Sequence, residues 1–284
     1  ANHVLCVGME KMTACDTATV GATLIKASYV AEEATEGMTF PGVFGVIAQN
    51  YFQKYGDQMD ALAMIAAKNH KNGSVNPLAH MQRDFGYDFC RYESDKNPFV
   101  APPLKRTDCS MVSDGAAAIV ISSEDASANA EKAISFRSTS HVNDFLPMSK
   151  RDIISFEGPK EAWERSLEKA GVTLDDLSFV ETHDCFTIAE LIEYEAMGLV
   201  KPGEGSKAIK EGWTQKDGKL PVNPSGGLKA KGHPVGATGV SMHVMAAMQL
   251  TGTAGGCQVE NAKLGGIFNM GGAAVANYVS ILEP

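Results

Sequence analysis

The segment with the most specific chemical pattern is a glycine-rich stretch at residues 223–239, which includes Gly232-His233-Pro234-Val235-Gly236-Ala237-Thr238-Gly239. Its glycines let the backbone turn tightly and approach a ligand closely. Pro234 suits a first helical turn and restricts His233 to extended backbone angles, so we expect the imidazole on a stiff turn near a helix N-terminus. That position favours the neutral ring that a general base requires. The alternative is a phosphate-cradling loop with an incidental histidine.

A second candidate segment, His183-Asp184-Cys185-Phe186, lies between a predicted strand at 177–181 and a predicted helix at 187–199. Functional residues of α/β folds gather where strands end, and a cysteine beside a helix N-terminus has a stabilised thiolate. We therefore expect His183 and Cys185 to point into one cavity. The alternative is a buried structural cysteine next to a surface histidine.

A third segment, Phe268-Asn269-Met270-Gly271-Gly272, lies between predicted strands at 263–269 and 273–282. Glycine at this point frees backbone N–H groups to face a site, as an oxyanion hole needs. From spacing alone, an ordinary hairpin turn is the better interpretation.

The elements that position these segments alternate along the chain and predict an α/β layered fold. Apolar runs at 3–9 and 114–121 indicate buried strands, separated by a lid-like excursion at about 13–108. A polar stretch at 122–131 predicts a domain boundary. The remaining predicted elements are helices at 43–55, 59–72, 159–170 and 236–250, and a strand at 134–140.

Composition excludes several classes of protein. The 284 residues carry a net charge of −9, which argues against a nucleic-acid-binding surface. No apolar run approaches the roughly 18 residues of a membrane span, and we find no secretion signal. The six cysteines are scattered without a Cys-x-x-Cys pair, which indicates reduced thiols, a cytoplasmic location and no metal site.

Taken in order, the motifs resemble the thiolase superfamily over essentially the whole chain. Met9-Glu10-Lys11-Met12 and Ser113-Asp114-Gly115-Ala116-Ala117 resemble two of its N-terminal segments, and the stretch from Gly232 to Gly239 is similar to its most specific motif. Where many thiolases have Asn-Glu-Ala-Phe and Cys-x-Gly, this chain has His183-Asp184-Cys185-Phe186 and Asn269-Met270-Gly271. Both departures resemble the sterol-carrier-protein-x type of thiolase.

The resemblance implies a layered α-β-α-β-α thiolase fold. It implies a truncated N-terminal half-domain at residues 1–124, with its loop excursion, and a complete C-terminal half-domain at residues 125–284. In the family the nucleophilic cysteine opens a helix that precedes the strand equivalent to residues 4–8. We therefore expect the nucleophile to lie in a missing N-terminal part, and none of the cysteines here matches it.

The resemblance also implies roles for four residues. His233 would be the base that activates the nucleophilic cysteine, and His183 would replace the usual asparagine beside the same oxyanion site. Cys185 would move a proton at the substrate α-carbon, in place of the cysteine that is missing at position 269. The Gly271 N–H would form half of a second oxyanion hole.

The implied activity is that of an acyl-CoA C-acyltransferase, which cleaves 3-ketoacyl-CoA with CoA or condenses acyl-CoAs. Coenzyme A and acyl-CoA would be substrates, with no covalently bound cofactor, and the assembly would be a homodimer or homotetramer. One alternative is a thiolase-like aldol lyase or acyltransferase that works with an OB-fold (DUF35-like) partner. The other is a non-catalytic CoA-binding or scaffold subunit.

Overall fold

Two β-sheets of different size flank one central helix in the computed structural model, which describes residues 1–35 and 37–284. The strands are β1 His3–Lys11, β2 Phe99–Ala101, β3 Leu104–Lys105, β4 Asp114–Ser122, β5 Ser135–Asn143, β6 Phe179–Glu181, β7 Gly265–Gly271 and β8 Ala276–Glu283. The large sheet has the order β5-β8-β7-β6, with β6 parallel to β7 and the other pairs antiparallel. The small sheet is the antiparallel pair β1–β4, and β2–β3 form a short hairpin.

The helices are α1 Thr17–Leu24, α2 Val30–Glu33, α3 Phe40–Tyr55, α4 Met59–Ser74, α5 Gly86–Arg91, α6 Glu124–Ser127, α7 Glu157–Ala170, α8 Thr187–Ala196, α9 Gly205–Lys210, α10 Gly227–Ala230 and α11 Thr238–Leu250. Within residues 1–35 and 37–284, none of them is long and apolar enough to cross a bilayer.

Local signals place the predicted helices and strands within a few residues of their observed bounds. Helix α3 starts earlier than predicted because the Thr39 hydroxyl accepts the Gly42 N–H at its N-terminus. Helix α7 ends as predicted at Gly171, which has φ 64°. Helix α11 begins at Thr238, not at 236, so Pro234 lies in the preceding turn and not in the first helical turn.

Helix α11 is the layer between the two sheets. Asn269 of β7 and Ser280 of β8 face it from the large sheet, through Gly239 and His243 respectively. On its other side, a Cβ at Gly8 would lie 2.7 Å from the Gly236 carbonyl oxygen, so glycine lets β1 approach the start of α11 closely. Helix α7 covers the opposite face of the large sheet, where Trp163 packs on Gly266.

The strands predicted at 3–9 and 114–121 both form, but within residues 1–35 and 37–284 only one of their two faces is covered. Alternate residues of β1 and β4 face α11, and the others form an outer face that is open to solvent. Leu5, Met9 and Val120 on that face are 65%, 72% and 64% exposed. Within the described residues each of the two strands pairs only with the other, so the bare apolar face is what apolar strands without further neighbours would leave.

Candidate active site

The segments singled out from sequence converge on a cavity of about 200 Å³ at one end of α11. His183, Cys185, His233 and Gly271 all line it, as do Asn269 and Thr238. The predicted excursion at about 13–108 contributes apolar side chains to the same wall, namely Leu24, Ala27, Phe40 and Pro41. The cavity therefore combines titratable side chains with an apolar lining. Within residues 1–35 and 37–284, no group of three or more His, Cys, Asp or Glu is arranged to hold a metal ion.

His233 is fixed at both its backbone and its ring. Its N–H donates to Ser113 Oγ at 3.1 Å, and its Nδ1 lies 2.8 Å from Thr238 Oγ1. Burial, followed by the nearby His183 and Lys231, holds the pKa of His233 well below its usual range. The ring is therefore neutral, as the sequence predicted, but the main cause is burial and not the helix N-terminus.

His183 follows β6 and stands perpendicular to His233, with ring centroids 5.0 Å apart. Its Nδ1 lies 2.6 Å from Asn269 Oδ1. Burial lowers the pKa of His183 to about 4, although the hydrogen bond to Asn269 opposes this. His183 is therefore a second neutral imidazole in the cavity, and not the surface histidine of the alternative interpretation.

Cys185 is 3% exposed and reaches the cavity just before α8. Burial, and then the charge of Asp184, raise the pKa of the Cys185 thiol well above its ordinary value. The predicted stabilisation of the thiolate by the helix N-terminus is therefore wrong, because desolvation outweighs it. Cys185 is a neutral thiol that can donate a proton.

Gly271 ends β7 at the cavity wall, and the hairpin to β8 follows it. Gly272 has φ 64° and Ala274 φ 60°, so the turn uses left-handed backbone angles. The Arg151 guanidinium donates to the carbonyl oxygens of Ala273 and Ala274 and so ties the turn to the rest of the fold. The segment is a hairpin turn that also borders the cavity, so the two interpretations from sequence are compatible.

Asp184 was not predicted to have a role, yet it anchors the loop that carries His183 and Cys185. Its carboxylate accepts the backbone N–H groups of Leu228 at 2.6 Å and Lys229 at 3.2 Å, and the side-chain amide of Asn69 at 2.8 Å. Burial and the charge of Glu190 raise the pKa of Asp184 to about 7. The sequence signal for this contact was the pair of consecutive glycines at 226–227, because a Cβ at Gly227 would lie 2.3 Å from the Asp184 carboxylate.

Cys109 is a further thiol in the cavity wall that the sequence did not connect with the site. Burial raises the pKa of Cys109 to about 12, despite the nearby Lys229 ammonium group. Its thiol is therefore neutral, which is unlike the thiolate that a nucleophilic cysteine must form.

Comparisons with known proteins agree with this arrangement. A family model described as "Thiolase C-terminal domain-like" matches residues 140–284. The chain is 36% identical over 282 residues to the acetyl-CoA acetyltransferase of Methanothermobacter thermautotrophicus, covering 99% of this chain and 72% of that protein. It is 36% identical over 244 residues to human sterol carrier protein 2, covering 83% of this chain and 44% of that protein.

Two solved structures show the same fold. An Ltp2–ChsH2(DUF35) aldolase superposes with a TM-score of 0.87 at 20% identity, covering 99% of this chain and 72% of that chain. A monomeric SCP2-thiolase-like protein type 1 from Mycobacterium smegmatis superposes with a TM-score of 0.73 at 14% identity, covering 99% and 56%. The predicted thiolase-type α/β fold is thereby confirmed.

Proposed function

Because the chain belongs to the thiolase family, we propose that it forms part of an acyl-CoA C-acyltransferase that cleaves 3-ketoacyl-CoA with CoA or condenses two acyl-CoAs. The observation that carries the proposal is the cavity in which two neutral imidazoles and a neutral thiol meet the glycine turn. Claisen chemistry needs a thiol nucleophile, a base for it, a proton carrier at the α-carbon and sites for two oxyanions. Coenzyme A and acyl-CoA are the proposed substrates.

The nucleophile in this proposal comes from a segment outside residues 1–284, either on the same polypeptide or on a separate subunit. The chain spans 72% of the acetyltransferase relative and 44% of human sterol carrier protein 2, so these relatives have room for such a segment. Uncovered apolar surface beside α11 supports it: Phe136 and Tyr278 on the large sheet are 43% and 45% exposed. We further propose half-domains at 1–124 and 125–284, and a homodimeric or homotetrameric assembly in the cytoplasm.

In this mechanism His233 takes the proton of the nucleophilic thiol through Nε2 and then, protonated, donates to the thioester oxyanion. His183 is the second donor to that oxyanion, for which it needs a proton on Nε2. A half-turn of the Asn269 amide exchanges Oδ1 and Nδ2, so that Nδ2 donates to His183 Nδ1 and the ring proton moves to Nε2.

Cys185 gives its proton to the α-carbon of the leaving acyl-CoA during cleavage and is left as a thiolate. In condensation, which is the reverse reaction, that thiolate takes the α-proton and becomes the thiol again. Its raised pKa keeps the thiol protonated, as a proton donor must be. The backbone N–H of Gly271 stabilises the enolate oxygen that forms at the same time.

A second candidate is a thiolase-like aldol lyase that works with an OB-fold partner of the DUF35 type. The observation in its favour is the superposition on the Ltp2–ChsH2(DUF35) aldolase over 99% of the chain. Retro-aldol chemistry would use the same acid and base groups without an acyl-enzyme. Product formation that needs no free CoA distinguishes it from the acyltransferase, and a non-catalytic subunit would form no product by either route.

The test is the intact mass of the purified protein under denaturing conditions, before and after exposure to acetyl-CoA. We expect a longer or second polypeptide that gains one acetyl group, and we expect free CoA to remove it. His233→Ala should abolish acetylation. Cys185→Ser should still be acetylated but should no longer exchange the methyl protons of acetyl-CoA with deuterated solvent.

Two results would contradict the proposal. One is a mass that corresponds to these residues alone with no acetylation. The other is acetylation that survives His233→Ala at the wild-type rate, since the base would then lie elsewhere. A His243→Gln variant is the matched control. The His243 ring bonds the Gly239 carbonyl oxygen on α11 and Ser280 of β8, and it does not line the cavity, so acetylation should not change.

A further inference from the structure

The hydroxyl of Thr238, at the start of α11, makes two hydrogen bonds whose directions are fixed by chemistry. Thr238 Oγ1 lies 2.9 Å from the Pro234 carbonyl oxygen and 2.8 Å from His233 Nδ1. A carbonyl oxygen can only accept, so the single hydroxyl proton goes to Pro234. The hydroxyl oxygen must then accept from the ring, which requires the proton of His233 to be on Nδ1.

A neutral imidazole carries one ring proton, so a proton on Nδ1 leaves a lone pair on Nε2. We propose that Thr238 is a positioning residue that holds His233 in the Nδ1–H tautomer, with Nε2 kept as a proton acceptor. Its consequence for catalysis rests on the proposed function, whereas the tautomer itself does not. Thr238 is 2% exposed, so water does not replace its hydroxyl easily.

A second hydroxyl holds the backbone of His233 in the same way and provides a matched control. Ser113 Oγ donates to the Met111 carbonyl oxygen and accepts the His233 N–H, both at 3.1 Å. This contact places the residue but leaves the ring proton unassigned. Ser113→Ala should therefore disturb position without changing the tautomer.

The Thr238→Val substitution isolates the ring contact. The Pro234 carbonyl oxygen also accepts the Ala237 N–H at 2.8 Å, so it keeps a partner when the threonine hydroxyl is lost. Valine has nearly the same shape as threonine, so the substitution removes the hydroxyl with little change in side-chain volume. Of the two described partners of Thr238 Oγ1, the one left without a partner is then His233 Nδ1.

The experiment is long-range ¹H–¹⁵N correlation NMR of the purified protein with ¹⁵N-labelled histidine at neutral pH. His233→Gln identifies the signal of His233. We expect the Nδ1–H pattern in the wild type, in Thr238→Ser and in Ser113→Ala. Thr238→Val should give a mixture of tautomers or the Nε2–H form. An Nε2–H pattern in the wild type overturns the proposal without any variant, as does an unchanged pattern in a folded Thr238→Val protein.

Activity then separates the two proposals. If acetylation occurs, Thr238→Val should slow it roughly 10- to 100-fold while Thr238→Ser stays near the wild type, because a general base supplies about 10²- to 10⁴-fold. An Nδ1–H tautomer in a protein that transfers no acyl group would leave the positioning role intact and refute the acyltransferase. Acetylation by a protein whose His233 carries Nε2–H would refute the positioning role of Thr238 and leave the acyltransferase proposal intact.

Discussion

The two sheets on either side of α11 both contain apolar strands, but the large sheet is covered on both faces and the small sheet on one. Ile267, Phe268 and Ile281 of the large sheet are at most 1% exposed, because α7 and α11 cover its two faces. On the small sheet only the face toward α11 is covered, and Leu5 is 65% exposed on the other. Strand formation is therefore a property of local sequence and pairing, whereas burial depends on which layers are stacked on a sheet.

The comparison also separates the roles of the two regions in the site. His183, Cys185, His233 and Gly271 all belong to the covered half of the molecule. The small sheet contributes indirectly. Gly8 packs against the turn before α11, and Ser113, just before β4, accepts the backbone N–H of His233. The titratable side chains of the cavity are thus held by the part of the chain whose central strands are covered on both faces.

The largest expected effect is on stability and tests this contrast directly. Trp163 of α7 is 1% exposed and packs on Gly266 of the large sheet. Replacing it with alanine should lower the free energy of unfolding by about 3–5 kcal/mol, because the lost burial is compounded by a cavity. Denaturant titration followed by circular dichroism measures the change.

The matched control is Leu5→Ala on the outer face of the small sheet. Because that side chain is largely in water, the free energy of unfolding should change by no more than about 0.5 kcal/mol. If Leu5→Ala lowered the free energy of unfolding as much as Trp163→Ala does, the outer face of the small sheet would be covered in solution, and the two sheets would not differ in burial.

Sequence alone predicts much of this architecture because its signals are local. Gly171 marks the end of α7, and the three motifs bring His183, Cys185, His233 and Gly271 to one cavity. Burial of β1 and β4 could not be read from their residues, since it depends on neighbours that are distant along the chain.

The protonation states were only partly predictable for a related reason. The neutral thiol of Cys185 reflects desolvation by the whole surrounding fold, which outweighs the nearby helix N-terminus. The hydrogen bond between Asp184 and Asn69 joins residues 115 positions apart, so no local sequence pattern predicts it. Tertiary packing determines both features.

The next effect concerns pH and compares a buried histidine with an exposed one. Burial lowers the pKa of His183 to about 4 from an ordinary value near 6.5. As the pH falls from about 6.5 to 4, the unfolded chain binds a proton at this residue and the folded chain does not. His183 therefore costs stability in that window, by up to about 1.4 kcal/mol per pH unit.

Asparagine does not titrate, so His183→Asn should lose less stability than the wild type between those pH values. Asp184, whose raised pKa gives the opposite slope, is present in both proteins and cancels in the difference. His3→Asn, at an exposed position of the small sheet, is measured in the same way as the surface comparison. Parallel curves for His183→Asn and the wild type would show that His183 is accessible to protons in the folded state.

The smallest expected change in folding concerns the outer face of the small sheet. Leu5 and Val120 lie directly opposite each other in the β1–β4 register, and both are about two-thirds exposed. Replacing them together, as Leu5→Lys with Val120→Glu, puts opposite charges side by side, a pair worth roughly 0.2–1 kcal/mol. The free energy of unfolding of the 284-residue chain should change by no more than that amount.

Self-association of this double variant, measured by light scattering against concentration, should fall because lysine on an open strand opposes edge pairing and contact between apolar faces. Suppose that scattering stays the same and that Leu5→Ala leaves the free energy of unfolding unchanged. Association then proceeds through the surface beside α11, where Phe136 and Tyr278 are exposed, and not through the small sheet.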